Sequence, residues 1–385
     1  MQEHLREDVS ALALRLGRFP QLNASVVLRQ VAGYQALERK VPSWFGNPDL
    51  IFSDSLPLEQ CSSEATARYK ASILPTSVQS FADLTGGLGV DFAFLAAGKS
   101  RALYVERRSD FCEIAAENFR SLGLTQVEVL YGDGPSLLKE PFDLLFLDPA
   151  RRDAKGGKVV ALSDCEPDIA SIKASLFTKA PLLLVKLSPM LDISLALKQL
   201  PETTQMHVVS VDGECKELLF LLAAETTLRE PRLFCINLRS NAPSQFFEFF
   251  RSEEQAAVCR LTDAPLKILY EPNASLLKAG AFSILTQAFD LYKLHPNSHL
   301  YTSETLIPDF PGRAFSIESV FPVHPKDLKI HLGNLTKANI SVRNYPETVA
   351  QLRKKTKLNE GGETYLFATT LKDGKKVLIK CGKSY

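Results

Sequence analysis

Four acidic residues stand at the ends of short apolar runs: Asp83, Glu106, Asp133 and Asp148. The first leads into Thr85-Gly86-Gly87-Leu88-Gly89. Glycines at that point let the backbone approach a nucleotide-like ligand and aim helix N–H groups at it. A carboxylate at the end of a second strand, Glu106, would fall beside a ribose and accept hydrogen bonds from both hydroxyls. Asp133, in Tyr131-Gly132-Asp133-Gly134, is placed to meet an exocyclic adenine amine. Asp148 opens the segment Asp148-Pro149-Ala150-Arg151-Arg152-Asp153.

These positions have a use only if strands carry them to one edge. The pattern predicts a strand over 81–83, a strand over 101–105 reaching Glu106, a helix over 111–122 and a third strand over 126–130. Residues 142–147 are nearly all apolar, the pattern of a strand buried on both faces. A fifth strand ends near Lys186. Residues 205–212 and 215–223 read as two strands joined by the tight turn Asp212-Gly213-Glu214, a terminal antiparallel hairpin. The spacing is that of a doubly wound α/β sheet. A dehydrogenase-type Rossmann domain is the rival. Its fingerprint is Gly-x-Gly-x-x-Gly with no acid in the first strand, whereas here Asp83 precedes Gly86-Gly87-x-Gly89, and the sheet ends in a hairpin.

Four strand ends with carboxylates, and a glycine-rich turn after the first, resemble the class I S-adenosylmethionine-dependent methyltransferases. Asp148-Pro149 resembles the fourth-strand motif of enzymes that methylate nucleic-acid bases, which commonly continues with Pro and an aromatic residue that stacks on a flipped base. Ala150 and Arg151 stand at those two places here. A narrower resemblance rests on Glu59-Gln60-Cys61-Ser62-Ser63-Glu64, the Asp148 motif, Tyr270-Glu271-Pro272-Asn273 and Gly361-Gly362-Glu363-Thr364-Tyr365-Leu366-Phe367-Ala368. Together these are similar to the bacterial THUMP-like-domain methyltransferases.

The resemblance implies an α/β fold: a doubly wound, Rossmann-like, seven-stranded methyltransferase sheet with an N-terminal helical region and small α+β C-terminal domains. The expected divisions are a helical region over 1–75, a methyltransferase core over 76–240, a ferredoxin-like domain over 264–320 and a basic THUMP-like domain over 321–385. It implies S-adenosyl-L-methionine as cofactor, held by Asp83, Thr85, Gly86, Gly87, Gly89, Glu106, Arg107, Asp133, Gly134 and Asp148. Asp83 would face the methionine ammonium. Asp148 and the Pro149 carbonyl would accept hydrogen bonds from the acceptor nitrogen, and methyl transfer then needs mainly alignment and exclusion of water. Arg151, Arg152 and Lys186 are candidate substrate contacts. The arginines can clamp a phosphate or stack on a base, or pair locally with Asp153 or Asp164. Lys186 can equally be a lysine snorkelling from a strand end.

The implied reaction is methylation of an RNA base, an amino nitrogen first. A noncatalytic RNA-binding or assembly factor that keeps the fold is the alternative, and a small-molecule or protein methyltransferase a third reading. A cysteine nucleophile for C5 chemistry would need a reactive thiol near Asp148, and nothing beside Cys165 would lower its pKa. His207, on an expected strand, reads as a core or edge residue.

The chain has 385 residues, 45% of them hydrophobic, enough for more than one domain. Net charge is +1. Residues 321–385 nevertheless carry 13 Lys and Arg against 5 Asp and Glu. Such a basic appendage suits a polyanion, here tRNA or rRNA, while an acidic body suits a cationic cofactor. Seven cysteines and six histidines show no metal-ligand spacing, so no metal is expected. No apolar run of about 18 residues is free of charge, and no basic segment followed by an apolar stretch opens the chain; a cytoplasmic protein without membrane contact is the expectation.

Outside the core, helical periodicity covers residues 5–40 with a break near Phe19-Pro20, and Ser62 or Ser63 is placed to cap a helix. Residues 232–238 could form another strand, and residues 241–256 read as a connector. A strand over 268–271 and one helix from Asn273 to Ala288 follow. A helix over 347–353 and a hairpin of 364–370 with 376–380 close the chain.

Overall fold

The computed structural model describes residues 5–19, 21–52, 61–151 and 162–383. The chain divides into two compact units, Met1–Gln205 with Glu217–Arg229, and Met206–Lys216 with Glu230–Tyr385.

In the first unit, helices α1 (Val9–Leu16) and α2 (Ala24–Lys40) start at Asp8 and Asn23, whose side chains accept N–H bonds from Ala11 and Val26. Each cap satisfies an N–H that the helix cannot. Ser63 does the same for α3 (Glu64–Ser72), accepting from Thr66. Tyr34 and Leu37 of α2 and Val90 of α4 (Val90–Ala96) belong to one buried cluster, which seats the helical region on the sheet domain.

The sheet has five parallel strands: β1 (Ser80–Asp83), β2 (Arg101–Glu106), β3 (Val127–Tyr131), β4 (Leu144–Leu147) and β5 (Leu182–Leu187); helices α5 (Ser109–Ser121), α6 (Gly134–Leu137), α7 (Ile169–Phe177) and α8 (Ile193–Gln199) follow β2, β3, β4 and β5 in sequence. They lie in the order β3-β2-β1-β4-β5, and β7 (Glu214–Ala223) is antiparallel beside β5. The start of β6 (Thr203–Val211) runs beside β7: the Thr204 hydroxyl donates to the Leu221 carbonyl at 3.0 Å and the Ala223 N–H to the Glu202 carbonyl at 3.1 Å. It is the large, mostly parallel α/β sheet expected from the sequence, but it has nine strands rather than seven, because two more strands continue it beyond β6. All four β4 side chains are buried, as their unbroken apolar character requires. Between β6 and β7, Asp212 and Gly213 have φ of 49° and 85°. Two consecutive positive φ values mark the hairpin turn whose twist matches its strands. Strand order reverses at β1, so the loops after β1 and β4 leave the same crevice-forming edge. No described helix is long and apolar enough to cross a membrane.

In the second unit, β8 (Arg232–Leu238) pairs antiparallel with β9 (Gln245–Phe250). Strand β9 and helix α9 (Arg251–Ala256) occupy what the sequence reads as a connector. Four phenylalanines in six residues fit a strand, with Phe249 buried and Phe246 exposed. A second sheet of seven strands carries the rest: β10 (Ile268–Pro272), β11 (Tyr292–Lys293), β12 (Tyr301–Ser303), β13 (Gly312–Phe321), β14 (Asn339–Arg343), β15 (Thr364–Thr370) and β16 (Lys376–Lys383), in the order β11-β12-β10-β13-β16-β15-β14. The long β13 joins the halves, pairing with β10 through residues 312–316 and with β16 through 315–321. A Cβ on Gly312 would stand 2.2 Å from the Glu271 carbonyl, so that approach requires glycine.

The expected helix from Asn273 to Ala288 is two helices, α10 (Ala274–Ala279) and α11 (Ile284–Ala288). Gly280 ends the first in the left-handed region, φ 79°. Strands β15 and β16 are buried on both faces: Phe367 and Ile379 enter one cluster, while Leu366 and Leu378 enter another with Leu332 of α12 (Pro325–Leu332) and Leu352 of α13 (Val349–Thr356).

Candidate active site

The loop after β1 is tied down by its own side chains. Asp83 is 2% exposed, and one of its oxygens accepts from the Thr85 N–H at 2.8 Å and from the Thr85 hydroxyl at 3.1 Å. The same hydroxyl accepts the Asp148 N–H at 2.7 Å, so the ends of β1 and β4 are pinned together. Burial pushes the Asp83 carboxyl up to about 7 against the pull of the Thr85 hydrogen bonds. Gly86 lies against the Tyr104 ring, where a Cβ would meet ring atoms at 2.5 Å. Gly89 starts α4 with φ 73°. Gly87, at φ 63°, differs: a Cβ there would meet nothing nearer than the Thr85 carbonyl at 3.7 Å.

Glu106 ends β2 and reaches back to this loop. Its two oxygens accept the Gly87 N–H at 2.8 Å and the Arg108 N–H at 2.9 Å. A carboxylate offers about four lone-pair sites, so two remain for hydroxyl donors. The Glu106 carbonyl accepts the Gly132 N–H at 2.9 Å, and Gly134 is packed so closely on Leu84 that a Cβ would lie 2.4 Å from its carbonyl. The turn after β3 is thereby held against the β1 loop. Asp133 accepts from Ser136 at 2.7 Å and pairs with Arg107 at 2.5 Å, which hold its carboxyl below the usual range. Arg107 also reaches Glu166 at 2.7 Å.

Behind Asp148 runs a chain of alternating charge. Lys186, on β5, is 2.6 Å from Asp148 and 2.9 Å from Asp91 of α4. Lys70 of α3 is 3.1 Å from Asp91 and 2.6 Å from Glu217 of β7. The Ser62 hydroxyl donates to Asp91 at 2.7 Å. Lys70 and Glu217 are buried, whereas the Asp148 side chain is 43% exposed at the open end. Burial alone would lower the Lys186 ammonium, but Asp148 and Asp91 outweigh it and hold it well above the ordinary lysine range. Burial would raise Asp91, yet Lys186 and Lys70 hold it well below the carboxylate range. Burial raises Glu217 despite Lys70. Counting Asp83, the cluster has four carboxylates and two lysines, a surplus of acid.

Of the residues singled out in the sequence, the structure links Asp83, Thr85, Asp148 and Lys186 in one network. Gly86, Gly87, Glu106, Arg107, Asp133 and Gly134 continue it along the same sheet edge, with Gly89 closing the loop and Pro149 following Asp148. Arg152 and the Arg151 side chain lie outside the described residues. Lys186 is no snorkelling strand end: it is inside, on Asp91 and Asp148. Sequence reading missed Lys70, Asp91 and Glu217. Their one signal is a charge set within apolar surroundings, Asp91 between Val90 and Phe92, and Glu217 before Leu218-Leu219-Phe220. His207 is buried and stacked on Phe234, and burial pushes its pKa down to about 4, so it is a core residue. Among the described residues, no group of three His, Cys, Asp or Glu side chains could hold a metal ion.

The ferredoxin-like domain family matches residues 269–311, and the THUMP domain-like family matches residues 312–383. The crystal structure of a candidate methyltransferase from Porphyromonas gingivalis W83 superposes with a TM-score of 0.90 at 35% identity, covering 100% of this chain and 96% of that one. An uncharacterized protein from Listeria monocytogenes serotype 4b (TM-score 0.33, 16% identity, 42% of this chain, 69% of that one) and an rRNA methylase from Streptococcus thermophilus (0.31, 12%, 42% and 96%) overlap this chain only in part. No curated protein matches the chain. The full-length likeness to the Porphyromonas protein, with the two C-terminal domain matches, places this chain in the bacterial THUMP-like-domain family of class I methyltransferases.

Proposed function

We propose that this protein is a cytoplasmic enzyme that moves a methyl group from S-adenosyl-L-methionine to an RNA base, at an amino nitrogen. The observation that carries the reading is the acid-rich edge around the open Gly87 backbone, with Asp148 as its exposed end. Glu106 keeps acceptor capacity for ribose hydroxyls, and buried Asp83 gains from a cation beside it. Asp133, with Arg107, flanks the position of the adenine. The bound cofactor supplies an electrophilic methyl group on a sulfonium. Lys186 pins one Asp148 oxygen, and the other oxygen accepts a hydrogen bond from the acceptor amine and so orients its lone pair. The Pro149 carbonyl accepts a second. Lys186 thus acts through Asp148, as a positioning residue.

The RNA half of the reading rests on the basic segment from residue 321 onward, with Arg151 and Arg152 proposed as phosphate contacts. The proposed divisions remain a helical region over 1–75, a core over 76–240, and C-terminal domains over 264–320 and 321–385.

Calorimetric titration with S-adenosylmethionine and S-adenosylhomocysteine tests the cofactor: no binding at millimolar concentration removes it. Comparing modified nucleosides in RNA from cells with and without the protein identifies the acceptor. Asp148→Ala should lower turnover by about 100-fold or more while RNA affinity stays unchanged. Ala150 and Arg151, in place of the usual proline and aromatic, favour the noncatalytic RNA-binding alternative. It predicts no turnover in either protein, and RNA affinity that falls with salt in both.

A further inference from the structure

The second unit holds a cavity of about 670 Å³ whose lining includes Arg239, Arg313, Arg343 and Lys383 against two acids, Asp212 and Glu271. Glu271 is 5% exposed. One of its oxygens takes Arg313 (Nε at 3.1 Å, and Nη2) and the other takes Arg343 (Nε at 3.2 Å, Nη2 at 3.0 Å). One buried carboxylate on β10 therefore fixes two guanidiniums, from β13 and β14, that would otherwise repel. Both spend the Nε–Nη2 edge on Glu271, which leaves Nη1 of each. Asp212 is engaged by the Ser240 N–H at 3.0 Å and its hydroxyl at 2.5 Å. Neither Arg239 nor Lys383 hydrogen-bonds to a carboxylate among the described residues. The lining thus carries a surplus of two positive charges.

A purely structural clamp on three strands would need Glu271 and the two arginines alone. It leaves Lys383 and the cavity without a role, and gives Arg239 no more than a through-space attraction to Asp212. Planar guanidiniums match phosphate oxygens bidentately, and a phosphate monoester carries about −1.5 to −2 charges, which balances the surplus. The volume falls in the range of about 300–1,000 Å³ that encloses whole small ligands. Leu306, Ile307 and Tyr365 supply apolar and aromatic wall.

We infer that this cavity binds the phosphate ester of a nucleoside, whether a free mononucleotide or the terminal phosphate of an RNA. The inference stands apart from methyl transfer and survives if the first unit binds no sulfonium donor. Calorimetry on the full chain with uridine 5′-monophosphate and uridine tests it with probes that lack adenine. Uridine 5′-monophosphate should bind and uridine should not. Arg239→Gln with Lys383→Gln, two exposed positions, should weaken binding about tenfold or more with an unchanged unfolding midpoint. A 5′-phosphorylated oligouridylate that binds more tightly than both its 5′-hydroxyl form and the mononucleotide points to an RNA end. A mononucleotide that binds at least as tightly points to a free nucleotide. Equal binding of uridine and its monophosphate, no binding of any phosphorylated probe at millimolar concentration, or unaltered affinity in the double variant overturns the inference.

Discussion

In the first unit two lysines are held among carboxylates; in the second, one carboxylate is held beneath two arginines. The clusters share a device, a buried minority charge that keeps like charges apart, but differ in sign and in depth. Lys70 is 0% exposed and Glu217 7%, whereas the arginines around Glu271 are 55% and 38% exposed. The acid-rich cluster suits a cationic ligand and the arginine-rich one an anion. Depth separates their contribution to stability. A fully buried pair cannot be replaced by water when one partner is lost, while exposed guanidiniums rehydrate.

The largest expected effect follows from depth. Lys70→Met should destabilise the protein by about 3–5 kcal/mol in urea unfolding, since it strands Glu217 without a counter-ion. Lys70→Met with Glu217→Met should recover most of that. If the single substitution costs under about 1 kcal/mol, the contrast in depth has no energetic meaning.

Asp83 gives a pH signature. Its folded value, about 7, is raised above the ordinary 3.8. The native state therefore binds the proton more tightly than the unfolded chain does. The resulting stabilisation is fully present below about pH 4 and is lost as pH rises through about 7, an effect on the order of 4 kcal/mol at most. Unfolding midpoints measured across this window should fall with pH in the wild type and flatten in Asp83→Asn.

Lys186→Met should lower methyl transfer about 10- to 100-fold through misplacement of Asp148, with cofactor affinity little changed, and Lys186→Arg should restore part of it. A rise in the Michaelis constant alone would instead make Lys186 a substrate contact. Glu271→Gln should be the mildest, about 1–2 kcal/mol in the same unfolding assay, because solvent reaches both arginines. A loss as large as that of Lys70→Met would erase the difference between the two clusters.

The first-unit sheet was legible because its signals are local. Acid after an apolar run, glycines after the acid, and an all-apolar β4 depend only on neighbours in sequence, so Asp83, Glu106, Asp133 and Asp148 were found by position. The β9 strand was not, because Gln245-Phe246-Phe247-Glu248-Phe249-Phe250 alternates imperfectly and is stabilised by pairing with β8. The break at Gly280 was masked by the apolar residues on either side. Tyr270-Glu271-Pro272-Asn273 stood out in the sequence as a motif, yet its acid has meaning only with Arg313 and Arg343, 42 and 72 residues away.

Which residues end strands, where glycine is needed and which end of the chain is basic can be read from residue order alone, since propensity, hydrophobic period and charge are properties of short segments. Which charges become partners depends on how distant segments pack. Lys70 and Glu217 lie 147 residues apart, and Lys186 and Asp91 are separated by 95. Coulomb energy depends on distance and on exclusion of water, and neither exists until α3, α4, β5 and β7 close around the same space.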